Sequence, residues 1–144
     1  MKKFDQFQRH LSVLEKSKDQ DLENEFIISG IIDKFFIQFE LGWKTLKEFL
    51  AYEGIGTART VSPRQIVKEV YRIYGFLYES AWLEMLSARN DMAHLYDEYA
   101  AKILMHKVIS EFVPVFQQMR NGLFARYREC GNVETWRCIK NAFC

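Results

Sequence analysis

Proline and glycine are scarce in this chain, at 2 and 7 of 144 residues. An all-β sandwich or barrel turns every ~8–12 residues, and this chain has too few turn formers for that. Cysteine is scarcer still: Cys130, Cys138 and Cys144, an odd number, all late and without a C-x-x-C pair. That excludes a disulfide framework and the usual zinc spacing, and it reads as reduced thiols. No apolar run approaches the ~18–20 residues that would span a membrane, and the start, MKKFDQFQRHL, is too polar for a signal peptide. A cytoplasmic protein without a membrane segment is the expectation. Charge of one sign is also missing. The formal net charge is +1, so bulk electrostatics advertise neither DNA nor RNA. There is no P-loop, no dinucleotide glycine motif and no paired-carboxylate metal motif, so no cofactor or metal is expected.

What is present suits one globular domain: 49% hydrophobic, 27% charged, and 12 phenylalanines. The apolar residues recur at helical spacing. Phe4, Phe7, Leu11 and Leu14 mark a first helix over about 3–17. A long second helix runs from Asp21 or Asn24 to Glu53, with Ile28, Ile31, Ile32, Phe35, Phe39, Trp43, Leu46 and Leu50 on one broad face. Ser62-Pro63-Arg64-Gln65 opens a third, with a capping serine, a proline at the first helical position and a glutamine to close a capping box. Gly75 ends it. A fourth helix runs from near Ser80 to Arg89, and a fifth from Asp97 or Glu98 to about Met119, with Pro114 expected to kink it or end its regular part early. From these elements we expect an all-α, up-and-down bundle of four or five helices over residues 1–120. Residues 121–144 read as a basic tail of weak periodicity, frayed or forming a short extra helix. Residues 120–144 carry net +3, which can touch RNA or simply be a solvated end.

Chemistry concentrates in Ser87-Ala88-Arg89-Asn90-Asp91-Met92-Ala93-His94-Leu95-Tyr96-Asp97-Glu98. An arginine fork clamps phosphate, and a histidine moves protons near neutral pH. Together Arg89 and His94 can cleave RNA without a metal. On one continuous helix, however, residues five apart point about 140° apart. Either the helix ends between Arg89 and His94, or a two-fold dimer joins them from two chains. As residue types alone, both also suit surface and capping roles. His10 and His106 look like occupants of solvated helix faces, Phe35, Phe36, Phe39 and Trp43 like core, and Glu40–Lys44 like a surface i,i+4 pair worth a few tenths of a kcal/mol.

Three segments resemble the nucleotidyltransferase substrate-binding protein family, a branch of the HEPN superfamily close to the HepT toxins. Phe39-Glu40-Leu41-Gly42-Trp43-Lys44-Thr45-Leu46-Lys47 is similar to that family's F-E-L-A-W-K-T-L-K helix. Ser62-Pro63-Arg64 and the helix after it resemble its S-P-R-E-x-I-R-E-A segment. Trp82-Leu83-x-Met85-Leu86-x-x-Arg89-Asn90-x-x-x-His94-x-Tyr96-Asp97-Glu98 resembles its W-L-x-M-L-x-x-R-N-x-x-S-H-x-Y-D-E block. The likeness runs from about Phe4 to Met119 and implies a HEPN-like, dimeric helical bundle with a minimal nucleotidyltransferase as partner. It implies a metal-independent RNase site of Arg89, Asn90 and His94 at the dimer interface, silenced when the partner transfers AMP to Tyr96. The other reading the family offers is a non-catalytic subunit that presents substrate. The nucleotidyltransferase's own Gly-Ser and Asp-x-Asp elements are absent, so this chain is not expected to be that enzyme. Two positions depart from the family pattern. Ala93 lacks the usual hydroxyl, and Gly42 replaces alanine, which costs a helix about 1 kcal/mol unless a close contact uses it.

Overall fold

The computed structural model describes residues 2–56 and 62–129, and all regular structure among them is helical. The elements are α1 (Lys2–Leu14), α2 (Glu25–Tyr52), α3 (Pro63–Tyr74), α4 (Glu79–Asn90), α5 (Glu98–Lys107) and α6 (Val113–Glu129). A tight 3-10 turn, Glu15–Asp19, follows α1. Wide π-type winding over Val108–Phe112 fuses α5 and α6 into one rod. This is an all-α bundle in which α2 packs against α1, α3 and α5.

Local chemistry sets the helix starts. The Asn24 side chain accepts from the amides of Phe26 and Ile27 at 2.9 and 3.2 Å. The Asp97 carboxylate accepts from Tyr99 and Ala100 at 3.0 and 3.3 Å. Ser62 and Gln65 form the reciprocal capping box, at 3.0 and 3.2 Å. Each such cap is worth about 1 kcal/mol. Gly75, at φ 70°, closes α3 with its amide donating to the Tyr71 carbonyl.

The core is aromatic. Phe35 of α2 stacks on Phe112 at 5.1 Å between centroids, and Trp82 of α4 meets the ring of Phe116 edge-on at 5.5 Å and leans on Phe39 at 5.9 Å. All five are fully buried. Beside them the buried Gln38 amide donates to the Phe7 carbonyl at 3.0 Å and lies 2.6 Å from His10 Nδ1. His10 is therefore half-buried and hydrogen-bonded, not solvated as its spacing suggested.

The last helix also differs from expectation. It passes Pro114 and runs to Glu129. Proline removes one donor and crowds the preceding turn, and the π winding just upstream is where the helix absorbs this. Beyond residue 120 the rod is stitched to the bundle. Leu123 is buried, Phe124 packs on Phe4, and the backbone at Gly122 lies against the Phe76 ring. Arg120 pairs with Glu15, and Arg126 with Glu53, both at 3.1 Å. These two cations of the basic stretch are thus engaged within the chain. Arg137, Lys140 and the three cysteines lie outside the described residues.

Gly42 is used by a close contact. A Cβ there would stand 2.6 Å from Cη2 of the buried, rigid Trp82 indole. Overpacking a core costs about 1–3 kcal/mol, which outweighs the roughly 1 kcal/mol gained in helix propensity. Gly42→Ala should therefore lower unfolding stability, by up to about 2 kcal/mol, in urea titration. A neutral or stabilised variant would show that the indole yields.

Candidate functional site

Helix α4 ends at Asn90, between Arg89 and His94. Asp91 makes the break by accepting the Ala93 amide at 3.0 Å, and a single 3-10 turn, Ala93–Leu95, leads to the Asp97 cap of α5. The chain thus takes the first of the two geometric routes open to the pair. Both side chains now rest on one face of α2. The Arg89 guanidinium lies over Phe39, 5.7 Å from the ring centroid, with Nη2 at 2.9 Å from Glu40 Oε1. The His94 imidazole tilts against Phe36 at 5.1 Å. Phe36 and Glu40 are one helical turn apart, so arginine and histidine occupy adjacent turns of the same strip. Asn90 is exposed at the last position of α4.

Glu40 is the residue that spacing undervalued. Its Oε2 accepts from Trp43 Nε1 at 3.0 Å and lies 3.7 Å from Lys44. Its Oε1 is shut from solvent and faces Arg89 as an ion pair whose angles fall short of a hydrogen bond. The surface pair read from i,i+4 spacing is the weakest of its three contacts. Trp43 is half-buried with its indole N–H committed to Glu40, so it is not a plain core residue. The only sequence signal for this hub was Trp43 three residues beyond a glutamate on a helix. Arg89 is therefore not a free cation, and a phosphate has to share its five donors with Glu40.

Tyr96 is 82% exposed, with Leu95 and Tyr99 exposed beside it. A cleft of about 390 Å³ separates it from the start of α2, lined by Glu23, Glu25, Asp97 and Glu98 together with His94 and Lys102. Four carboxylates face one ammonium, which Glu23 already holds at 2.8 Å. Acidic residues at two helix starts favour the helix dipoles, and they make this side of the site repel phosphate. His106 is exposed and near enough to Glu23 for its charge to act on that carboxyl. Among the described residues, no cluster of three or more His, Cys, Asp or Glu is placed to hold a metal, and no helix is long and apolar enough to cross a membrane.

Fold and site together define a helical-bundle protein that displays an exposed tyrosine beside an arginine–histidine pair laid on one helix. Residues 2–125 match the family model described as nucleotidyltransferase substrate binding protein like. The chain belongs to that family. No curated protein matches it.

The Glu23–Lys102 pair gives a test of the cleft. The hydrogen bond and charge of Lys102 hold the Glu23 carboxyl below its ordinary 4.5 and raise the Lys102 ammonium. A depressed carboxyl contributes at pH values above its unfolded value, and the contribution fades as pH falls through the folded one. A 13C titration of Glu23 should give a midpoint under 4.5 that climbs back toward it in Lys102→Met. Identical midpoints in the two proteins would mean the pair does not persist in solution.

Proposed function

We propose that this protein is the partner subunit of a minimal nucleotidyltransferase and that the Tyr96 hydroxyl accepts AMP from ATP in that partnership. The activity so controlled is metal-independent cleavage of RNA in the cytoplasm by a homodimer, with Arg89, Asn90 and His94 at the site. The observation that carries this reading is the position of Tyr96: 82% exposed, two residues from His94, on a turn pinned by Asp91 and Asp97. A partner enzyme reaches the phenol without unfolding anything. The phenol oxygen attacks the α-phosphorus of ATP, the bond to pyrophosphate breaks, pyrophosphate leaves and the phenolic proton goes to solvent.

For RNA cleavage, His94 takes the 2′-hydroxyl proton or protonates the leaving oxygen, and Arg89 stabilises charge on the phosphate. Their placement against adjacent turns of α2, on one strip of that helix, supports this. A second reading, a non-catalytic subunit that presents substrate, draws on two observations: Glu40 already occupies Arg89, and the cleft beside His94 is acidic.

Incubation with the partner nucleotidyltransferase, ATP and magnesium should give an AMP adduct by mass spectrometry on the wild type and none on Tyr96→Phe. An unmodified wild type, with a partner active on another acceptor, ends the acceptor role. In EDTA, His94→Ala should lose RNA cleavage by about 10²–10⁴-fold. Equal trace rates in wild type and His94→Ala would leave the non-catalytic reading in place.

A further inference from the structure

The end of α1, the 3-10 turn after it and the start of α2 enclose an apolar groove of about 280 Å³. That volume lies near the lower end of small-ligand sites, roughly 300–1,000 Å³. Buried Leu14 and Ile31 line it, and Phe26, 85% exposed, stands on its wall. Gly30 lies among them. A glycine inside a helix lowers its stability relative to alanine, and close approach of a ligand to the backbone is one use that offsets the loss. At Gly42 and Gly122 an aromatic ring of this chain takes the space of a Cβ, but at Gly30 nothing comes within 4 Å.

The charge on the groove has one sign. Its charged lining residues are Lys16, on the 3-10 turn, and Lys34, on α2. Both are exposed, and neither holds an ion pair among the described residues. Ser17 lines the same groove. It is 6% exposed, and its hydroxyl makes no hydrogen bond among the described residues. A hydroxyl so placed calls for a polar partner. The cleft beside Tyr96 is the opposite case, with four carboxylates around one ammonium.

We propose that this groove binds a small amphipathic carboxylate of the fatty-acid type. The aliphatic chain lies against Gly30 and Phe26, where it covers apolar surface that the fold leaves to water. The carboxylate accepts from the Ser17 hydroxyl and from the ammoniums of Lys16 and Lys34, whose long stems reach it from either side. The site is separate from Arg89, His94 and Tyr96, and it stands whether or not those residues act as proposed above.

Titration of the full chain with sodium octanoate, followed by amide NMR shifts, tests this. Octanoate should give saturable shifts at Ser17, Phe26 and Gly30, with a dissociation constant on the order of 0.1–1 mM for so small a ligand. Octylammonium, the same chain with the opposite charge, should bind about 10-fold more weakly or worse. Lys34→Glu should weaken octanoate about 10-fold or more, because the anion then meets a like charge. Gly30→Leu fills the groove and should abolish the shifts at Ser17 and Phe26, with helix content unchanged. Octanoate that moves no groove residue overturns the site. Equal binding of octanoate and octylammonium, or Lys34→Glu without effect, removes the selection for an anion and overturns the proposal. Unchanged octanoate affinity in Gly30→Leu puts the ligand elsewhere and overturns it as well.

Discussion

Everything in this fold is referred to the buried face of α2. Ile28, Ile31, Ile32, Phe35, Phe39, Leu46, Phe49 and Leu50 are all buried there, and full burial of such side chains is worth about 1.5–3 kcal/mol each. No neighbouring element covers that face alone: α1, α3 and α5 each pack on a part of it, and α4 reaches it by driving Trp82 against Gly42. The rotation of α2 is consequently fixed by its core, and the residues on its flanks inherit a fixed direction. Phe36, Phe39 and Glu40 hold His94 and Arg89 because the same helix cannot turn without exposing Phe35. The geometry of the candidate site is thus a by-product of hydrophobic burial, with one carboxylate added.

Elements whose cause is local were legible in the sequence. Ser62, Pro63 and Gln65 announce the start of α3 and Gly75 its end, because a cap needs only residues within one turn. The bundle itself followed from the apolar spacing of α1 and α2. What could not be read was long-range or compensated. His10 meets Gln38 across 28 residues, and Arg89 meets Glu40 across a similarly silent gap, and no periodicity reports such pairings. Pro114 marked an irregularity in the last helix, but not its form, π winding just upstream followed by a further run to Glu129. Past residue 120 the apolar stripe weakens because Gly122 offers bare backbone to Phe76, and packing of that kind does not register as hydrophobicity.

At the site, residue types and placement were legible but charge state was not. Arg89, Asn90, His94 and Tyr96 stand near the α4–α5 junction as their spacing suggested, and the turn lifts the phenol into solvent. Reading Arg89 as an open phosphate clamp ignored Glu40. Reading Tyr96 as lying beside a phosphate site ignored the four carboxylates that line the cleft between it and the start of α2.

Those carboxylates bear on how a modified tyrosine would act. An AMP phosphate on Tyr96 would meet Glu23, Glu25, Asp97 and Glu98 on one side, and like charges at short range in a partly screened cleft are unfavourable. The cation in the cleft is Lys102, held by Glu23, and the arginine seven residues before Tyr96 is Arg89, held by Glu40. Lys102 is tied on the acidic side, so accepting the phosphate there leaves the remaining carboxylates unbalanced. Arg89 has donors to spare and a carboxylate partner poorly aligned with it, which makes it the cheaper partner for a new anion. On the proposed reading, silencing by modification would then need no steric plug. The added phosphate would be repelled by the acidic wall, and the contact it would displace at Arg89 is the imperfect one to Glu40.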